Sequence, residues 1–181
     1  MKAYSINPQT QELKEIDIEI EANTVYTFFN SILVDESEVI TKHVLYCDAN
    51  AMNENKKPFF VAGQITVGDV LVLGRSDFED MEVSIPQDEL ELLIDYNVNA
   101  FYTEVLELIA SSDINLYRTF EVEKKSEKVA LNVEWVLYTF NMADERTQEY
   151  FIDELKIVTE SQGDITAYMQ KMAGLALNAA G

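Results

Sequence analysis

His43 and Cys47 are the only histidine and the only cysteine of the chain, four residues apart, with Asp48 beside them. On a helix that spacing lets two side chains share a metal ion, and Cys with His is also the pairing of a thiolate nucleophile. Val39–Asp48 reads as a strand, however, where positions i and i+4 lie about 13 Å apart. We therefore expect a structural histidine and a buried, unligated cysteine, with no metal centre. Asp77, Glu79, Asp80 and Glu82 form a second candidate, since clustered carboxylates attract divalent cations. They lack the D-x-D-x-D-G order and the closing glutamate of a calcium loop, and they read as a solvated turn. Gly63, Gly68 and Gly74 form a third. A phosphate cradle needs close glycines opening a helix. Here the pattern is G-x4-G-x5-G, it leads into an apolar run, and no Lys-Ser/Thr follows. These glycines read as tight reversals shaping a sheet. No G-x-S-x-G elbow is present, and 33 acidic residues give no means of choosing an acid–base pair. No catalytic residue and no cofactor is assigned.

The elements that would position these groups are clearer. Val70-Leu71-Val72-Leu73 is a short apolar run bounded by Gly68 and Gly74, the mark of a strand buried on both faces. Phe59–Val61 reads as a shorter strand. Lys2–Ile6 and Glu15–Ile20 form a hairpin across Asn7–Glu12; the second strand alternates acid out and isoleucine in. Asn23 caps a helix over Thr24–Leu33 with Val25, Phe28, Phe29 and Leu33 on one face. Ala49–Lys57 is a polar loop, Met81–Ile85 a short strand, and Pro86 opens a helical turn followed by apolar Leu90, Leu92, Leu93 and Ile94. From Asn97 the period changes. Phe101, Val105, Leu108 and Ile109 mark a helix. Val129–Phe140 fits both a strand and a helical face; its β-branched and aromatic content favours a hairpin around Lys124–Glu127. Asp144–Glu160 is a helix anchored by Tyr150, Phe151, Leu155 and Val158, and Gly163-Asp164 separates it from another over Ile165–Ala180. Phe28, Phe29, Phe101, Phe140 and Phe151 read as core. The expected fold is mixed α+β. Residues 1–95 form a mostly antiparallel sheet domain with one or two helices, and residues 96–181 a helix-rich lobe with a β-hairpin as one reading.

Charge bounds the partners. The chain has 33 acidic and 13 basic residues in 181, net −20. Nucleic acid and anionic membranes repel such a chain, so direct binding to either is not expected. The one basic cluster, Lys124-Lys125 with Lys128, is interrupted by Glu123 and Glu127. No run of 18 apolar residues exists to span a membrane. The first residues lack the apolar segment of a signal peptide, and one cysteine allows no internal disulfide framework. A cytoplasmic location is the expectation.

The first half resembles a family of small uncharacterised proteins from phages and conjugative elements. The resemblance rests on KAYSINPQTQELKEIDIE, VLYCDANAMNENKKPFFVAG and VGDVLVLG. Lys2, Pro8, Leu45, Tyr46, Asp48, Phe60, Gly68 and Gly74 stand at the family's pattern positions. It covers roughly residues 2–93. It implies a bacterial or phage setting and no particular chemistry, and residues 96–181 lie outside it. With the charge, it suggests an accessory protein that binds and inhibits a host or phage protein with a basic surface. The sharper form is a mimic of nucleic-acid charge. Twenty charges match roughly 34 Å of duplex, against a body about 40 Å across. The bearing residues would come from Glu15, Asp17, Glu19, Asp77, Glu79, Asp80 and Glu82. A non-inhibitory regulatory or structural module and an enzyme of unrecognised class are the alternatives.

Overall fold

The fold comes from a computed structural model describing residues 1–19, 21, 23–54, 56–77, 79–112 and 114–179. It is mixed α+β, with an antiparallel sheet in the N-terminal half and helices toward the C-terminus, as the periodicities indicate. The chain forms two compact units, Met1–Val98 and Asn99–Gly181.

In the first unit, β1 (Lys2–Asn7) and β2 (Glu12–Asp17) make the expected hairpin. Ile20, the expected end of its second strand, lies outside the described residues. The helix expected over Thr24–Leu33 is shorter. α1 (Thr24–Phe29) stops because Asn30 takes a left-handed conformation, φ 50°, and the amides of Asn30 and Ser31 close the last turn. Leu33 is consequently exposed rather than a core anchor. Asn23 occupies the N-cap but makes no side-chain capping bond.

The single strand expected over Val39–Asp48 is two strands. β3 (Val34–Ile40) and β4 (His43–Asp48) pair antiparallel about a Thr41-Lys42 turn in which Lys42 has φ 61°. β5 (Pro58–Val61) and β6 (Gln64–Val67) follow, joined by a turn through Ala62 and Gly63. β7 (Val70–Ser76) then turns through Asp77 toward β8 (Glu79–Met81), so the strand expected over Met81–Ile85 lies earlier and is shorter. Pro86 stands at the N-cap of α2 (Gln87–Glu91) rather than inside it, and β9 (Ile94–Asp95) joins β5. Of the apolar residues expected on that helix only Leu90 is buried; Leu92 is 86% exposed.

The main sheet runs β2-β1-β7-β4-β3, with β8 on β7. The apolar run therefore sits at its centre, between β1 and β4. Leu71 and Leu73 share one face with Ala3 and Val44, and α1 covers this face with Val25, Phe28 and Phe29. Val70 and Val72 share the other with Tyr4, Ile6, Leu45 and Cys47, all buried. β3 is an outer strand and carries Asp35, Glu36 and Glu38. Gly63 and Gly68 are reversals, at φ 81° and 79°. Gly74 is not a reversal; it lies within β7, where a Cβ would strike the carbonyl oxygen of Glu82.

In the second unit, α3 (Ala100–Ile109) is capped by Asn99, whose Oδ1 accepts from the Tyr102 amide. β10 (Thr119–Lys124) and β11 (Glu127–Asn132) form the favoured hairpin. The ambiguous segment then changes state: α4 (Val133–Asn141) begins at Asn132, whose side chain accepts from the Trp135 amide. α5 (Glu145–Glu160) is capped by Asp144, and Asp164 caps α6 (Ile165–Ala179). Ala180 lies outside the described residues. Phe151 is the hub of the core, 4.5 Å from Phe140 between ring centroids and 5.6 Å from Tyr168, whose hydroxyl donates to the Phe151 carbonyl. Tyr150, expected as an anchor, is half exposed.

Candidate functional site

The α1-covered face ends in a polar cluster built by strand register. Residues opposite one another in paired strands share a face, as do residues two apart in one strand. Arg75 follows Leu71 and Leu73 by that rule and lies opposite Asp80 of β8, while Glu36 of β3 lies opposite Tyr46 of β4. The Arg75 guanidinium donates to Glu38 at 3.2 Å, Glu36 at 3.2 Å, Asp80 at 3.1 Å and the Tyr46 hydroxyl. It also lies 5.8 Å from the centroid of the Tyr46 ring, in cation–π range. The Tyr46 hydroxyl in turn donates to Asp80 at 2.9 Å.

Burial pushes the Tyr46 phenol upward, and its hydrogen bond to Asp80 adds to the shift. Burial opposes charge on Arg75, but Glu36, Tyr46 and Asp80 outweigh it and raise the guanidinium further above its ordinary value. This cluster keeps fixed charge at the sheet surface.

Beside it lies a cleft of about 710 Å³, lined by Val25, Tyr26, Val34 and Tyr46 together with Glu21, Glu36, Glu79 and Asp80. Two tyrosines and four carboxylates line this cleft, a composition that suits a cationic group through aromatic contact and opposite charge. A second cleft of about 560 Å³ includes Phe28, Phe29, Asn30, Asp48, Asn50 and Asp69 in its lining.

The seven acids read from the sequence divide. Glu15 pairs with Lys2 at 2.8 Å; Glu82 accepts from the Lys2 amide, and Asp17 lies within electrostatic reach of the same ammonium. These three therefore gather at one edge. Glu19, Asp77 and Glu79 are exposed. Asp80 is not a solvated turn residue: it is half-buried, held by Arg75 and Tyr46. Arg75, Tyr46 and Glu36 were not legible as site residues, because only the pairing of β4 with β7 and β3 brings them together.

His43 and Cys47 are both buried on β4. Burial pushes the Cys47 thiol up to about 12, with Asp35 and Asp48 adding to the shift; a thiol so placed is no nucleophile near neutral pH. Among the described residues no three His, Cys, Asp or Glu side chains converge as metal ligands. No helix is long and apolar enough to cross a membrane among those residues. The chain matches no family model, and no curated protein or solved structure matches it.

Proposed function

We propose that this chain is an acidic accessory protein of the phage or mobile-element kind. It binds a basic surface on a host protein and inhibits it, and the cleft beside α1 seats one cationic side chain of that partner. The observation that carries this reading is the cleft itself: four carboxylates and two tyrosine rings share a concavity whose wall already holds the guanidinium of Arg75. Net −20 supports it at longer range, because complementary charge speeds encounter and fixes orientation. Mimicry of duplex charge is the sharper form, with Glu15, Asp17 and Glu82 as neighbours at the sheet edge.

Capture from bacterial lysate, repeated with competing duplex DNA and with high salt, tests this. Exposed charges are screened beyond about 8 Å at physiological ionic strength, so both additions are expected to release the partner. Reversal of Asp77, Glu79 and Glu82 to lysine is expected to abolish capture while the circular dichroism spectrum is retained. Asp80 is spared because a lysine there would face Arg75. A partner retained in high salt and bound equally by the triple variant overturns the reading. That outcome would favour a module working through apolar contact, for which Tyr138, Met142, Ile157 and Leu175 are each at least half exposed.

A further inference from the structure

His43 is the one histidine, it is buried, and the cleft makes no use of it. Its ring bridges two parts of the first unit that are far apart in sequence. Nδ1 lies 2.8 Å from the Thr41 carbonyl oxygen, which can only accept. Nε2 accepts from the main-chain amides of Ser84 at 3.2 Å and Ile85 at 3.1 Å. One nitrogen must donate and the other accept, which is the neutral ring with its proton on Nδ1. The amides it receives belong to the irregular strap between β8 and α2. That strap has two other ties to the sheet: the Val83 amide donates to the Lys2 carbonyl at 3.0 Å, and the Tyr4 hydroxyl donates to the Ile85 carbonyl at 3.2 Å.

We propose that His43 is a pH-sensitive latch, holding the strap Val83–Pro86 on the sheet when neutral and releasing it when the ring takes a second proton. Protonation turns Nε2 from an acceptor into a donor, so two amides lose their partner and meet an N–H instead. An unsatisfied buried donor is costly. The Ser84 hydroxyl, 3.2 Å from Nε2, can rotate to accept the new proton, which favours a rearranged strap over the original one. The titratable groups on the surrounding elements include Lys2 and Tyr4 on β1, Lys42 on the preceding turn, Cys47 on β4, Arg75 on β7, Glu82 just before the strap and Asp88, Glu89 and Glu91 on α2. Arg75 is committed to Glu36, Glu38 and Asp80. Among the described residues no carboxylate forms an ion pair with the ring. Release would loosen the strap and α2 with its anchor Leu90, while β7 keeps its pairing with β1 and β4.

Amide hydrogen exchange by NMR on the full chain, followed as pH falls and corrected for intrinsic rates, tests the latch; the ring C–H resonances report proton uptake. Protection at Ser84 and Ile85 is expected to fall by about tenfold or more in step with the ring, while Val72 and Leu73 stay protected. His43→Gln retains an acceptor and cannot titrate, and is expected to lose the pH step. Ser84→Ala removes the hydroxyl that can receive the proton and is expected to alter the step's size without moving Val72 or Leu73. The latch is overturned by an unchanged step in His43→Gln, by a ring that titrates with no change at Ser84 and Ile85, or by a ring that stays neutral until the whole unit unfolds. Should His43→Gln fail to fold, the agreement or disagreement of ring and amide titrations in the parent chain decides.

Discussion

Arg75 holds three carboxylates and a phenol from strands β3, β4 and β8, so its removal leaves Asp80 and Tyr46 half-buried without their cation. Glu36 and Glu38 are about 60% exposed, and water replaces much of what they lose. Arg75→Met is expected to destabilise the first unit by about 2 kcal/mol, measured by urea unfolding. Arg75→Met combined with Asp80→Leu is expected to recover part of that loss, because the stranded charge is gone. A double variant less stable than the two single losses together would contradict this account. At this scale the sequence showed the acids but not their cation. Asp80 stands among four carboxylates of similar appearance, and only its place opposite Arg75 separates it from Asp77 and Glu79.

Single elements were legible where one signal dominated. Val70–Leu73 is apolar on both faces and proved to be the central strand, with Leu71 fully buried. Leu71→Asp is expected to cost about 4 kcal/mol or more; an unchanged melting temperature would remove this strand from the core. The β3–β4 hairpin was missed because Thr41-Lys42 carries no Gly, Asn or Pro, and lysine gives no hint that it will adopt positive φ. In Val129–Phe140 two true signals overlapped: β11 supplies the alternation, α4 supplies the helical face, and Asn132 marks the boundary as a cap. The β10–β11 turn places Lys125 at φ 49° and Ser126 at φ 69°, a geometry that Asn-Gly adopts with less strain. Replacing the pair by Asn-Gly is expected to stabilise the second unit by about 1 kcal/mol, read as a higher denaturant midpoint with an unchanged slope.

Across the whole molecule, buried proton-bearing groups set the alkaline limit. The Cys47 thiol rises from an ordinary 9.0 to about 12, and burial lifts the Tyr46, Tyr102 and Tyr168 phenols above their ordinary 10.0. In each the fold favours the protonated form. Their stabilisation is complete below the unfolded-chain values and is lost as pH rises through the folded ones. Unfolding free energy is therefore expected to fall steadily above about pH 9. Tyrosinate absorbance from these buried rings is expected to appear together with loss of the circular dichroism signal. Their gradual ionisation in a chain that stays folded would refute the burial argument. Concentration is the other limit on a protein with open sheet margins. Among the described strands β3 is an outer one and pairs with β4, and outer strands that meet can zip molecules into fibres. Glu36 and Glu38 stand on one side of that strand and Asp35 on the other, so an arriving identical strand meets like charge on both sides. The same carboxylates that hold Arg75 in place thus help keep copies of the protein apart at neutral pH, and acid that neutralises them removes the guard.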